Sequence, residues 1–218
     1  MTLAELRSLF RREANDATQP YLWADEALDG FANEAEQEAC RRALLLVDST
    51  ASFCTLSIKA GDDVLALDPR IIDVRRARLV GENCMLELIH VDEMDARAPQ
   101  WETETGTPRA LVTDYQSNAL RLYPIPTADD TLRLTVSRLP LNDMAADDDE
   151  PEIRREHQRG LVQWMLHRAF DVKDAELLDP QSAEKALRKF EAEFGKRSSA
   201  RNEHWMRERM QMTANPIA

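Results

Sequence analysis

The sequence has no long apolar run, and it contains few cysteine and glycine residues. No stretch approaches the roughly 20 consecutive apolar residues that a membrane-spanning helix needs. The first twelve residues are amphipathic and lack the apolar block and small-residue cleavage site of a signal peptide. The three cysteines, Cys40, Cys54 and Cys84, are odd in number and show no paired spacing. These absences predict a protein of the reducing cytosol that does not contact a membrane.

Basic residues are scarce relative to acidic residues. The chain carries 28 Lys and Arg residues against 40 Asp and Glu residues, which gives a formal net charge of −12 at pH 7. A protein that binds DNA tightly gains affinity by neutralising phosphates and releasing their counterions. An excess of carboxylates repels that polyanion, so the composition argues against tight nucleic-acid binding. It remains compatible with a surface past which DNA slides.

The motifs of the common catalytic sites are also missing. The sequence has no Gly-rich phosphate loop, no nucleophile elbow and no His-Glu-x-x-His pair. Cys84 and His90, with Asp92 and Glu93 following, do not match the ligand spacing of a zinc site. We therefore predict no catalytic residue, no cofactor and no metal site. The enzymatic alternative is an uncharacterised activity that uses His90, Asp92 and Glu93.

The hydrophobic periodicity changes twice along the chain. Apolar residues recur at helical spacing over about 2–47, alternate with polar residues over about 52–139, and return to helical spacing after an acidic linker. The pattern predicts an α+β protein with two N-terminal and two C-terminal helices and an inserted antiparallel β-sandwich or small barrel. The predicted boundaries are 1–50 and 141–195 for the helical domain, 51–140 for the β insertion and 196–218 for a C-terminal tail.

Several local signals place the predicted helices. Thr2 and Glu5 have the spacing of a capping box. Pro151 suits the first turn of a helix, and Asp179-Pro180 is expected to open the last helix, which Gly195 interrupts. The second helix can bury one face formed by small and apolar side chains, with its charged residues, Glu36 and Glu38 among them, largely outside. That face is a candidate packing surface, within one subunit or between subunits, and comprises Leu28, Phe31, Ala35 and Ala39.

The β segment predicts hairpins and a meander. Residues 53–58 and 64–67 are expected to pair across Gly61, and residues 71–80 and 85–91 across Gly81. The segments 110–113, 119–123 and 131–138 are expected to follow one another as neighbouring strands.

Two charged segments are candidate interaction surfaces. The densest acidic cluster consists of Asp147, Asp148, Asp149 and Glu150, and it lacks the turn residues and glycine of a calcium loop. It is either a solvated linker before a helix or a functional negative surface along which DNA passes. The C-terminal tail is locally basic and holds large apolar groups, which makes it a candidate docking segment, with a solvated tail and a nucleic-acid arm as alternatives. Its candidate docking residues are Lys196, Arg197, Arg201, Trp205, Met206, Arg209 and Met210.

A set of short phrases, in this order and spacing, resembles the head-to-tail adaptor proteins of short-tailed bacteriophages, also called connectors or tail tubular protein A. The resemblance runs from about residue 3 to residue 194. Its phrases are Tyr21-Leu22-Trp23-Ala24-Asp25, Asn33-Glu34-Ala35, Trp101-Glu102, Gly106-Thr107-Pro108-Arg109, Leu120-Arg121-Leu122-Tyr123-Pro124-Ile125-Pro126, Leu132-Arg133-Leu134, Arg138-Leu139-Pro140, Pro151-Glu152-Ile153 and Leu161-Val162-Gln163-Trp164.

The resemblance implies a structural virion protein without catalytic activity. Such adaptors form a homo-oligomeric ring, commonly twelve-fold, that joins the portal protein above to a tail or nozzle protein below and lets double-stranded DNA pass. It further implies a location at the head–tail junction of the virion, after a period in the host cytoplasm, and a C-terminal segment that docks onto the portal. The alternative is a soluble phage assembly chaperone or regulatory binding module that is not retained in the particle.

Overall fold

The computed structural model describes residues 1–172 and 178–197. Within these ranges the chain divides into two compact units, one formed by residues 1–46 and 139–197 and the other by residues 47–138. We call them the helical unit and the β unit. The predicted α+β class is confirmed.

Helices form the helical unit, apart from one short helix that lies in the β unit. Their bounds are α1 Leu3–Glu13, α2 Asp25–Ala43, α3 Val91–Arg97 in the β unit, α4 Arg155–Gln158, α5 Leu161–Phe170 and α6 Pro180–Phe194. The β unit also contains two short 3-10 helices, Ser52–Cys54 and Trp101–Thr103.

Strands make up most of the β unit. Their bounds are β1 Leu46–Asp48, β2 Thr55–Ile58, β3 Val64–Ala66, β4 Ile71–Leu79, β5 Cys84–His90, β6 Thr105–Gly106, β7 Ala110–Thr113, β8 Ala119–Tyr123, β9 Ile125–Pro126 and β10 Asp130–Arg138.

Side chains cap the first and last helices where the sequence predicts. The Thr2 hydroxyl accepts a hydrogen bond from the Glu5 N–H, and the Glu5 carboxylate accepts one from the Thr2 N–H, so the capping box is confirmed. The Asp179 carboxylate accepts from the Ser182 N–H at the start of α6. This helix ends at Phe194 and is followed by Gly195, whose φ of 87° lies in the region that favours glycine.

The placement of Pro151 was predicted wrongly. This residue lies in a segment without regular secondary structure before α4, which begins only at Arg155. The backbone N–H and C=O groups of this segment form hydrogen bonds with α2 side chains and with Gln158. They therefore do not need the hydrogen bonds of a helix. The Gln158 amide donates to the carbonyls of Pro151 and Ile153 at 3.2 and 3.0 Å.

Apolar side chains of α1, α2, α5 and α6 form one core in the helical unit. Trp23, in the loop before α2, packs edge-on against Phe10 of α1 and Phe170 of α5, with ring centroids 5.4 and 5.8 Å apart. Two charged α2 residues predicted to lie outside, Glu36 and Glu38, are instead 2% and 8% exposed. They are buried because the segment before α4 and the chain after α6 cover that side of α2.

An eight-stranded sheet forms the β unit, in the order β1-β10-β4-β5-β7-β8-β3, with β2 also paired to β10, and β6 and β9 form a separate pair. The predicted pairing of β4 with β5 and of β7 with β8 is confirmed. The predicted hairpin of β2 with β3 is wrong, since β2 pairs with β10 and β3 with β8. The predicted meander of β7, β8 and β10 is wrong for its last strand, because β10 lies between β2 and β4 and not beside β8.

The sheet is mixed rather than purely antiparallel. Strand β5 runs parallel to β7, with Leu88 opposite Leu111, and β6 runs parallel to β9. A parallel pair needs a crossover connection, which α3 and the 3-10 helix at 101–103 supply between β5 and β7. The sequence predicts a single helical turn at residues 92–98, which α3 confirms, but it does not predict the crossover, so the antiparallel expectation fails at this point.

Candidate interaction surfaces

The acidic cluster at residues 147–150 lies at the N-terminus of α1. The Leu3 N–H donates to the Asp149 carbonyl at 2.8 Å, and the Ala4 N–H donates to the Asp147 carbonyl at 3.1 Å. The first N–H groups of a helix have no partner within the helix, and here the acidic loop supplies their acceptors. The helix dipole also favours negative charge at this end. The backbone of the loop is therefore fixed within the helical unit.

The four acidic side chains of this loop have different surroundings. Asp147 binds the Arg7 guanidinium at 2.8 Å but is 78% exposed. Asp149 accepts from the Ala145 and Ala146 N–H groups, and these bonds lower the pKa of its carboxyl group. Glu150 faces Arg155 at 3.1 Å, and Asp148 is exposed. The loop thus presents negative charge to solvent while its backbone stays anchored.

Polar residues of α2 hold the chain just before and just after the acidic loop. The Asn33 amide donates to the Met144 carbonyl at 3.0 Å, and its oxygen accepts from the Met144 N–H at 2.8 Å. The buried Glu36 carboxylate accepts from the Ile153 N–H at 3.1 Å. These bonds fix a segment that has no regular secondary structure. Sequence reasoning missed them because a polar residue on a helix face gives no sign of a partner more than 100 residues away.

The candidate packing surface of α2 lies inside the helical unit. Leu28, Ala35 and Ala39 are 0% exposed, and Phe31 is half-buried at the edge of the same core. The three fully buried side chains are therefore not available at the surface for a contact between subunits. In the single chain these three side chains belong to the core of the helical unit.

Only the first two candidate docking residues fall within the described part of the chain. Lys196 and Arg197 are exposed and follow directly on α6, with the Arg197 Nε 3.8 Å from the Glu38 carboxylate of α2. The other five lie outside the described residues and are Arg201, Trp205, Met206, Arg209 and Met210.

Arg42 of α2 fixes the place where the chain leaves α6. Its side chain is 4% exposed, donates to Glu38 at 2.9 Å and to the Gly195 carbonyl at 3.2 Å. Its guanidinium carbon also lies 5.1 and 5.2 Å from the ring centroids of Trp164 and Phe190, a cation–π arrangement. A tail that follows Arg197 therefore starts from a defined position on the helical unit.

Sequence reasoning also missed a buried arginine that shapes the loop between α1 and α2. Arg11 binds the carboxylates of Asp16 and Asp25 at 2.6 and 2.7 Å and lies 3.7 Å from the centroid of the Tyr21 ring. The Leu22 N–H donates to Asp16, and the Leu22 side chain is 60% exposed. The loop thus holds two large apolar side chains, Tyr21 and Leu22, at the surface. Only the two acids that flank this loop hint at the arrangement in the sequence.

One residue of the enzymatic alternative, His90, has a structural role in the β unit. His90 is 9% exposed and caps α3, since its Nδ1 accepts from the Asp92 N–H at 3.2 Å. Its Nε2 lies 3.3 Å from the Asp114 carboxylate. Among the described residues, no three His, Cys, Asp or Glu side chains are grouped so that they could hold a metal ion. Across those same ranges, no helix combines the length and the apolar character that crossing a membrane requires.

A family model described as SU10 adaptor protein matches residues 1–216. The chain belongs to this family of phage head-to-tail adaptors, and its role is broadly structural. No curated protein matches the sequence at a significant level.

Proposed function

We propose that this adaptor forms a homo-oligomeric ring, of twelve subunits by resemblance, that joins the portal to a tail or nozzle protein and lines the channel through which DNA leaves. The family match supports an adaptor role, and the resemblance in the sequence supports the place of the ring. The observation that carries the channel assignment is the anchored acidic loop at residues 147–150, which presents exposed carboxylates from a fixed backbone.

Negative charge suits a channel wall. Encapsidated DNA is a polyanion, and a basic lining would bind its phosphates and release counterions, which slows its passage. Carboxylates keep the phosphates away from the wall. A loop that two helices hold in place maintains that charge at a constant position while DNA moves past.

The C-terminal tail, residues 196–218, binds the portal in this proposal. Its basic residues and Trp205 have the chemistry of interface anchors. Because Arg42 holds the end of α6 against α2, the tail leaves each subunit from the same position, and a ring of subunits would present its tails in a symmetric array.

Deletion of residues 196–218 tests the docking role. We expect the truncated protein to keep its fold, because the described cores contain no residue beyond 194, and to lose binding to the cognate portal. Circular dichroism checks the fold, and cosedimentation with purified portal measures binding. A matched control keeps the whole tail and carries Lys189→Ala, at an exposed position of α6. Normal decoration of portals by the truncated protein would contradict the proposal.

Mass spectrometry of purified virions separates the adaptor from the alternative. A structural component is present at a fixed copy number that matches the portal. A soluble assembly chaperone or regulatory binding module is absent from mature particles or present only in traces.

A further inference from the structure

The outer face of the β-unit sheet is covered over one half and open over the other. Over β5, β7 and β8, the apolar side chains Ile89, Ala110 and Val112 pack against Met94 of α3 and Trp101. Over β4 and β10 the same face carries the exposed side chains of Arg76, Arg78 and Arg133. Strand β5 joins the halves, since Met85 on this face lies opposite Arg78 of β4.

The open half carries three arginines in close register. Arg78 of β4 lies directly opposite Arg133 of β10, and Arg76 lies opposite Thr135. All three arginines are exposed. Like charges placed directly opposite each other destabilise an antiparallel pair, so this arrangement is unfavourable for the isolated sheet. We call these three residues the basic face.

Within the described ranges, no carboxylate lies within ion-pair distance of the basic face. The Arg76 Nε donates to the Met85 sulfur at 3.2 Å, and Met85 and Val80 beside the arginines are 49% and 46% exposed. Most other arginines of the β unit have an acidic neighbour, as Arg97 has in Glu87 and Glu93. The three arginines therefore have no ion-pair partner among the described residues, in a chain with an excess of acid.

An acidic segment lies on the covered half of the same sheet. It runs from Asp92 at the start of α3 to Glu102 in the 3-10 helix. The Asp92 side chain is 89% exposed, and Asp95 and Glu102 are exposed as well. The Trp101 Nε1–H donates to the Asp95 carboxylate at 2.7 Å, which orients that group. We call residues 92–102 the acidic segment.

We propose that the basic face of one subunit binds the acidic segment of a second copy of this chain. The inference rests on the proposed function, since it names the contact between neighbours in the ring. Arginine and carboxylate groups form short, bidentate, charge-assisted hydrogen bonds, and exposed Met and Val supply an apolar centre. The two patches differ, so a subunit can use its basic face toward one neighbour and its acidic segment toward the other. In the proposed ring the contact is of this head-to-tail kind and repeats from subunit to subunit until the ring closes.

Charge and neighbouring side chains favour a second copy over nucleic acid. The overall charge of −12 repels a polyanion, whereas a complementary contact of this kind offsets the repulsion between equally acidic subunits. The apolar side chains beside the arginines also suit a protein surface better than a row of phosphates.

Charge reversal tests the contact. The basic-face variant carries Arg76→Glu, Arg78→Glu and Arg133→Glu, and the acidic-segment variant carries Asp92→Lys and Glu102→Lys. Asp95 is left unchanged because it bonds Trp101. A control with Arg12→Glu, Arg154→Glu and Arg159→Glu alters the charge by the same amount on exposed positions of the helical unit. Circular dichroism and thermal unfolding check that every variant folds.

Native mass spectrometry of portals mixed with a limiting amount of adaptor then measures how many adaptor subunits each portal carries. We expect the wild type and the control to give portals that are either empty or full, because bound neighbours stabilise one another. The basic-face variant should instead fill sites at random and bind at least tenfold more weakly. An equimolar mixture of the two reversed variants should recover full rings, since alternating subunits restore complementary charge at every contact.

Other outcomes overturn the inference. The first is that the basic-face variant fills portals all-or-none. The second is that the mixture of the two reversed variants fails to recover rings. Loss of binding to a short DNA duplex in this variant, with ring formation intact, would assign the basic face to nucleic acid. If the wild type bound no portal, the proposed function would fail. The contact between subunits would then be tested separately, by measuring self-association at low salt by sedimentation. Equal self-association of wild type and basic-face variant would then refute it.

Discussion

At the scale of single residues, one carboxylate organises the start of the β unit. Asp48 accepts hydrogen bonds from the Thr50 N–H at 2.7 Å, from the Thr50 hydroxyl at 2.9 Å and from the Ala51 N–H at 3.2 Å, and it binds the Arg138 Nε at 2.8 Å. Both Asp48 and Arg138 are about nine-tenths buried. The Thr50 N–H and then Arg138 hold the pKa of the Asp48 carboxyl well below its usual range, although burial opposes this.

The depressed pKa of Asp48 predicts a pH-dependent contribution to stability. A carboxyl whose pKa is lower in the folded protein stabilises the fold above its unfolded pKa of about 3.9, and this contribution is lost as pH falls toward the folded pKa. We expect Asp48→Asn to lower the free energy of unfolding by about 2 kcal/mol at pH 7. The difference from wild type should shrink below about pH 4.

Urea unfolding of both proteins between pH 7 and pH 3 measures this difference. Asp62→Asn is a suitable control, since its carboxylate also accepts a loop N–H, from Lys59, but forms no ion pair with an arginine of the described ranges. A difference between wild type and Asp48→Asn that stays constant over this range would show that the charge of Asp48 does not stabilise the fold.

One arginine of β8 shows that residue type alone does not predict burial. Arg121 alternates with buried leucines on β8 and is 7% exposed. Its guanidinium carbon lies 4.6 Å from the centroid of Tyr115 and 5.2 Å from that of Trp101, and Asp63 binds it at 3.0 Å. The alternation correctly predicts that Leu120 and Leu122 are buried, but an arginine in such a pattern is assigned to solvent until its aromatic neighbours are known.

At the scale of secondary-structure elements, small residues on α2 let other helices approach closely. Ala32, Ala35 and Ala39 are fully buried, and α5 packs against this helix. Helical spacing in the sequence identifies this face. It does not tell whether the partner helix belongs to the same chain, because alanine serves both kinds of contact equally well.

Enlarging one of these alanines tests the packing. We expect Ala35→Leu to lower the free energy of unfolding of the helical unit by about 1–3 kcal/mol, because the added methyl groups have no space in a filled core. Denaturant unfolding followed by near-UV circular dichroism measures the loss.

Ala27→Leu is the matched control, since Ala27 lies on α2 but is exposed. It should change stability by less than about 0.5 kcal/mol. A loss for Ala35→Leu no greater than this would contradict the assignment of this face to the core of the subunit.

At the scale of the whole molecule, charge is distributed unevenly. Acidic side chains exceed basic ones overall, yet the exposed arginines of the basic face are gathered on two adjacent strands. The acidic loop at residues 147–150 instead keeps most of its charge exposed. Our two proposals assign these surfaces to different tasks, contact between subunits and repulsion of DNA.

Neutralising the acidic loop tests its role in the channel. We expect virions with Asp147→Asn, Asp148→Asn and Glu150→Gln to eject DNA more slowly, by roughly severalfold at low salt, because the wall repels phosphates less. The effect should diminish as salt is raised and the Debye length falls from about 30 Å at 0.01 M to about 10 Å at 0.1 M. Asp149 is kept, since it bonds the backbone of its own loop.

Fluorescence of a DNA-binding dye in the medium follows ejection over time. The control replaces three exposed acids elsewhere, with Glu26→Gln, Glu82→Gln and Glu156→Gln. Equal ejection rates for wild type, variant and control would argue against a channel position for the loop.

The sequence by itself determined what depends on neighbours along the chain. Periodicity, capping residues and turn signals established the α+β class, the capping box at Thr2, the start of α6 at Pro180 and the pairing of β4 with β5. Net charge and the order of short phrases indicated a phage adaptor. These signals suffice because helix ends, hairpins and composition are set by residues a few positions apart.

Only the tertiary structure decided what depends on residues far apart in the chain. It paired β10 with β2 and β4, ran β5 parallel to β7 and buried Glu36 under the loop before α4. It also anchored the acidic loop on α1 and gathered the basic face from β4 and β10. Such contacts join segments separated by tens of residues, and many alternative pairings satisfy the same local pattern, so only packing of the whole chain selects among them.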